Sequence, residues 1–194
     1  MTGSTRVGRA TGRHLICFNR LAVWSVLAII TFVEACTGTP DTRGAEDAPA
    51  FDAGPSGARR APAETFTDLE GASVSILDLS GDVAVINFWG TWCLPCRTEL
   101  PELSDVAHIY AERGVQVIGI AVDSGEPEGI RAFADEYGVD YPIWVTDMAT
   151  AVAKFGAVGF PFTLLVDANG WVRKEYLGPQ TLESLSSEID AILP

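Results

Sequence analysis

Val83-Ala84-Val85-Ile86-Asn87-Phe88-Trp89, then Gly90-Thr91-Trp92, then Cys93-Leu94-Pro95-Cys96: this stretch decides the fold. The first seven residues are a near-continuous apolar run, the pattern of a central strand covered on both faces. Cys93 follows that strand and stands where a helix is predicted, over about 94–112, with Gly114 ending it. A thiolate at a helix N-terminus faces free N–H groups and the positive end of the helix dipole. In C-x-x-C motifs this lowers the thiol pKa from ~8.5 to roughly 3.5–7.5. Cys96 lies one turn further on, close enough to close a disulfide. The spacing therefore predicts a redox pair, Cys93 as nucleophile and Cys96 as resolving thiol. Pro95 costs nothing in a first helical turn and stiffens the loop.

Working outward, a second buried strand is predicted over Val115–Val122 and a helix from Pro127 to near Gly138. A short strand follows over Tyr141–Val145 and a short helix over Ala149–Phe155. Phe162–Val166 and Trp171–Leu177 are strands joined by the turn signal Asp167-Ala168-Asn169-Gly170. A last helix runs over Thr181–Leu193, with Thr181 as its cap. Ahead of the dithiol, Phe66–Leu69 and Ser73–Ile76 flank Glu70-Gly71 as a β-hairpin. The order predicts an α/β sandwich with a mixed central sheet, an N-terminal β-hairpin and a central insertion.

The N-terminus reads differently. A basic region ends at Arg20, and an apolar stretch of about 13 residues, Leu21 to Val33, follows; spanning a bilayer takes ~20. Ala35-Cys36 after Val33 matches a lipoprotein processing site with Cys36 as the lipidated residue, although Glu34 departs from that pattern. Val33-x-Ala35 also matches an ordinary secretory cleavage site, and an uncut segment would be a signal anchor. Each alternative places the domain outside the cytoplasm, on the cell membrane in the first and third. Residues 1–36 are thus the targeting or anchor segment. Residues 37–64, rich in Gly, Pro, Ala, Asp and Arg with no hydrophobic period, are a flexible linker. Residues 65–194 are the folded domain.

The chain carries a net charge of −13, and from Thr65 onward six basic residues face twenty acidic ones. Such a domain is repelled by phosphate backbones, so nucleic acid is not expected as a partner. Four cysteines, Cys17, Cys36, Cys93 and Cys96, do not make a multi-bridge scaffold. A structural zinc wants four ligands, and the domain offers one other candidate, His108. No metal and no cofactor is expected.

Asn87-Phe88-Trp89-Gly90-Thr91-Trp92-Cys93-Leu94-Pro95-Cys96-Arg97-Thr98-Glu99-Leu100-Pro101 resembles the active-site segment of the TlpA/ResA-type thioredoxin-like proteins. Gly159-Phe160-Pro161-Phe162-Thr163-Leu164-Leu165-Val166-Asp167 is similar to their cis-proline loop and the strand after it. The resemblance spans about 65–193 and implies a thioredoxin-like fold. It also implies an exported or membrane-anchored reductant of disulfides in partner proteins, for example in cytochrome c maturation. Outside the cytoplasm thiols tend to be oxidised, so such a reductant has to be recharged by a thiol–disulfide electron donor in the membrane. The resemblance makes Pro161 a cis-proline shaping a substrate groove with Trp92, Pro95 and Phe160. It makes Glu99, an i,i+3 neighbour of Cys96, an acid that tunes the thiols and relays a proton; the bland alternative is a solvated helix carboxylate. Pro101 is expected to kink the helix. Thioredoxins carry a buried Asp where this chain has Asn87, so a proton-transfer role there is lost. Phe160 and Phe162 flank Pro161 where smaller residues are commoner, which touches partner choice.

Two other functions compete on the same fold. A thiol peroxidase needs Pro and Thr or Ser seven and three residues before its cysteine, where this chain has Ile86 and Gly90. A membrane-tethered copper chaperone needs a wider cysteine spacing and a nearby histidine.

Overall fold

The computed structural model describes residues 57–79 and 81–193. The anchor segment 1–36, with Cys36, and most of the linker 37–64 lie outside the described residues. Among the described residues no helix is long and apolar enough to cross a membrane.

Among the described residues seven strands form one mixed sheet: β1 Thr65–Asp68, β2 Ser73–Ser75, β3 Val83–Trp89, β4 Val115–Val122, β5 Ile143–Thr146, β6 Phe162–Val166 and β7 Val172–Leu177. Their order across the sheet is β2-β1-β5-β4-β3-β6-β7. β3 and β4 pair in parallel from Val83↔Val115 to Trp89↔Ala121, and β4 and β5 are also parallel. β6 runs antiparallel to β3, β7 to β6, and β1 to both β5 and β2. All seven residues of β3 are buried, so the continuous apolar run does lie at the centre of the sheet.

Among the described residues four α-helices cover the sheet: α1 Leu100–Tyr110, α2 Pro127–Glu136, α3 Met148–Thr150 and α4 Leu182–Ile192. α3 runs on into a wide π-helical turn over Ala151–Phe155. One face of the sheet packs Val83, Val85, Val117 and Leu165 against Leu103 and Val106 of α1 and Leu185 and Ile189 of α4. The other face packs Ile86, Phe88, Ile120 and Leu164 with Phe66 and Phe155. Thr181 caps α4 through its side chain and Ser184 returns the bond, a reciprocal capping box.

The helix after the dithiol differs from the expected 94–112 span. Pro95–Thr98 form a 3-10 turn, α1 begins at Leu100, and a second 3-10 turn over Ala111–Arg113 ends it. Pro101 falls in the first turn of α1, where its missing N–H has no helical partner to lose. It starts a helix instead of kinking one.

The end of the linker is attached to the sheet. Arg60 bridges Trp171, Ala61 N–H donates to the Gly170 carbonyl at 2.9 Å, and Val172 N–H donates to the Arg59 carbonyl at 2.8 Å. Ordered contacts therefore start six residues before Thr65.

Gly119 of β4 sits beside Asn87 in the β3–β4 register. A Cβ there would lie 2.7 Å from Trp89 Nε1 and 2.9 Å from Tyr141 Cε2. Both rings are buried, so neither can swing away. Gly119→Ala is expected to destabilise the domain by ~1–3 kcal/mol through overpacking, read by urea denaturation. A change under about 0.5 kcal/mol, the level of an ordinary surface substitution, would contradict the packing described.

Candidate active site

β3 ends at Trp89, and the next four residues turn sharply across the end of the sheet. Gly90 is required in that turn: a Cβ at this position would stand 2.5 Å from Trp92 Cε2. Without it, the Trp92 ring folds back and its indole N–H donates to the Val122 carbonyl at 3.0 Å. Thr91 N–H donates to Ser124 Oγ at 3.2 Å. Both contacts tie the turn to the end of β4.

Cys93 and Cys96 are joined by a disulfide, with Cα atoms 5.4 Å apart. Cys93 keeps 3% exposure and Cys96 none. The Phe160–Pro161 peptide is cis. Trp92 meets Phe160 edge to face, centroids 5.4 Å apart. Pro95 is exposed, Pro161 buried and Phe160 half-buried. Trp92 and Leu94, on either side of Cys93, stand exposed, as do Val158, three residues before Pro161, and Leu177, which pairs with Phe162 and packs over Gly159.

Glu99 is fully buried, which rules out the solvated helix carboxylate. Its Oε1 accepts from Gln180 N–H at 3.1 Å and from the Thr163 hydroxyl at 3.2 Å. Its Oε2 accepts from Asn87 Nδ2 at 2.9 Å. Asn87 Nδ2 also donates to Thr163 Oγ1 at 2.8 Å. Burial raises the Glu99 carboxyl from 4.5 to about 7, against the opposing pull of the Gln180, Asn87 and Thr163 hydrogen bonds. A carboxyl group that exchanges its proton near neutrality thus lies one turn beyond the second cysteine.

Three members of this site were not singled out from sequence: Asn87 as a partner of Glu99, Thr163, and the turn at Gln180. A signal existed for two of them. Asn87 and Thr163 are polar residues inside otherwise apolar buried strands, and such groups need partners. The turn also reaches the proline: Gly178 N–H donates to the Pro161 carbonyl at 2.9 Å. Among the described residues no three His, Cys, Asp or Glu side chains are grouped to hold a metal ion.

A strand–turn dithiol, a cis-proline loop whose Phe160 packs against the cluster holding both cysteines and a buried acid on a mixed sheet define a thioredoxin-like thiol–disulfide oxidoreductase. The chain belongs to the AhpC/TSA family, which matches residues 58–175. It is 34% identical over 137 residues to the thiol-disulfide oxidoreductase ResA of Bacillus thuringiensis (strain Al Hakam), covering 70% of this chain and 78% of that one. To the ResA of Geobacillus thermodenitrificans (strain NG80-2) it is 35% identical over 135 residues, covering 69% and 76%. A thiol:disulfide interchange protein of Chlorobium tepidum TLS, described as a thioredoxin family protein, has the same fold. Its crystal structure aligns with a TM-score of 0.62 at 27% identity, over 71% of this chain and 97% of that one.

Proposed function

We propose that the enzyme reduces disulfides in exported proteins outside the cytoplasm, held at the membrane through residues 1–36 with Cys36 as the lipid attachment point. The observation that carries this reading is the buried Glu99 one turn beyond the Cys93–Cys96 pair, its N–H on the Cys96 carbonyl. An acid poised near neutral pH beside the resolving thiol suits a dithiol that must be kept reactive in its reduced form.

The chemistry starts from the dithiol. The Cys93 thiolate attacks one sulfur of the substrate disulfide, forming a Cys93–substrate bond and releasing the other sulfur as a thiolate. Glu99 takes the proton of the Cys96 thiol. The Cys96 thiolate then attacks Cys93 Sγ, closing the enzyme disulfide and releasing the second substrate thiolate, which takes up a proton. Two electrons have passed to the substrate. The oxidised pair is recharged by a dithiol donor in the membrane, since exported thiols meet an oxidising compartment. Trp92, Pro95, Phe160 and Pro161 form the groove that receives the substrate chain. Cytochrome c maturation is a setting in which such a reductant is needed.

Redox direction is the property that tests this reading. Equilibrating the full chain with glutathione is expected to give a reduction potential well below the protein disulfide isomerase value of about −180 mV. A value near −120 mV, that of a strong oxidant, would overturn the reductant assignment.

A further inference from the structure

The hydrogen bonds around Glu99 all point one way. Gln180 N–H is a backbone donor and cannot turn, so Oε1 is held as an acceptor. The Thr163 hydroxyl donates to the same oxygen while accepting from Asn87. A proton on Oε1 would have to point at the Thr163 oxygen and strip that hydroxyl's own hydrogen of its one acceptor among the described residues, so a proton bound by Glu99 belongs on Oε2. The group facing Oε2 is Asn87 Nδ2, which is itself a donor, and two donors cannot share one bond. Asn87 Oδ1, at the other end of the same amide, is buried with no hydrogen-bond partner among the described residues.

We infer that Asn87 is a two-state positioning residue whose side-chain amide turns over with the charge of Glu99. Nδ2 donates to the ionised carboxylate, and Oδ1 accepts from the protonated acid. Turning the amide replaces a donor–donor clash with an O–H···O bond. Thr163 Oγ1 then donates to Glu99 Oε1 or to Oδ1, both acceptors. Turning the amide gives Oδ1 a partner and withdraws Nδ2 from Glu99 and Thr163, so the turned orientation is reached only when the protonated acid supplies the O–H···O bond. Both protonation states of Glu99 are thereby hydrogen-bonded, and the site can give and take a proton without moving its backbone. This deepens the acid–base role proposed for Glu99 and assigns a function to the position where Asp is missing.

The neighbouring groups do not confuse a titration of the oxidised protein. Cys93 and Cys96 are joined and carry no titrating thiol. Burial, then the charges of Glu99 and Asp140, hold the Tyr141 phenol well above its ordinary value, so it stays neutral. The Glu102 carboxylate is turned to Leu182 N–H at 2.8 Å.

The test is NMR of the oxidised full chain between about pH 5 and about pH 9, bracketing the Glu99 titration. At the upper end a cross-peak is expected between the Asn87 side-chain NH2 and the Thr163 methyl, because Nδ2 lies on Thr163 Oγ1. It is expected to vanish at the lower end, with the midpoint of the Glu99 carboxyl carbon. In Glu99→Gln, whose NH2 copies the protonated acid, it should be missing at every pH. A cross-peak that persists through the titration or in Glu99→Gln would overturn the inference, as would a Glu99 carboxyl that does not titrate in this window. The readout needs no turnover, so its failure leaves the reductase reading to be judged separately by potential and cysteine variants.

Discussion

Cys93→Ser is expected to abolish turnover of protein disulfides, a loss of at least about 10³-fold, the scale of removing a covalent nucleophile. Cys96→Ser is expected to fail differently: the first attack proceeds, the resolving attack cannot, and the substrate stays bound to Cys93. The asymmetry follows from burial. Cys93 keeps its small exposure between the exposed Trp92 and Leu94, whereas Cys96 has none. A substrate sulfur can therefore reach Cys93, and Cys96 can reach only Cys93. The measurement is the rate of reduction of a protein disulfide with each variant. Non-reducing electrophoresis then looks for enzyme–substrate adducts. Full activity in Cys93→Ser, or adducts accumulating in Cys93→Ser rather than in Cys96→Ser, would reverse the assigned roles. Neither substitution should unfold the domain, because a three-residue disulfide loop restrains the unfolded chain little.

The strands were legible because burial writes itself into composition. β3 and β4 are apolar almost throughout, and their observed limits, Val83–Trp89 and Val115–Val122, are those of the apolar runs. Turn chemistry was equally plain at Asp167–Gly170, where Asp167 Oδ1 accepts from both Asn169 N–H and Trp171 N–H. The start of α1 was not legible from periodicity, because Leu100 and Leu103 continue the apolar face of the turn before them. What decides it is the sterics of Pro101, which fits only a first turn. The attachment of Arg59–Ala61 was missed for a related reason: backbone pairing at a sheet edge asks little of side-chain type. The dithiol was readable from local spacing, but the cradle of Glu99 was not. Its donors come from residues 12, 64 and 81 positions away, and only the folded sheet brings them together. Asn87 taken alone looked like the loss of an acid. The structure shows that it faces one supplied by α1's leading turn.

That relocated acid carries the second large effect. Glu99→Gln is expected to slow the closing of the enzyme disulfide by about 100-fold at neutral pH, the lower end of general acid–base contributions. In the parent enzyme the rate of this step should rise through about pH 7 as Glu99 ionises and becomes able to take the Cys96 proton. In the variant that rise should be gone, leaving the later one set by thiol ionisation near ~8.5. Stability should move oppositely. The folded carboxyl titrates at about 7 against an ordinary 4.5, so between these values the native state holds a proton that the unfolded chain has released. Native stability must then fall as pH rises from about 4.5 to about 7 and be level above, by an amount on the order of 3 kcal/mol. Glutamine has no proton to lose, so the variant's stability should be flat across that window and exceed the parent's at about pH 8 by ~1–3 kcal/mol. Slower chemistry with a more stable fold is what a buried functional charge produces; a residue serving only the structure would lose both together. A Glu99→Gln protein that is less stable than the parent above pH 7 and keeps the rate transition near neutrality would remove Glu99 from the mechanism.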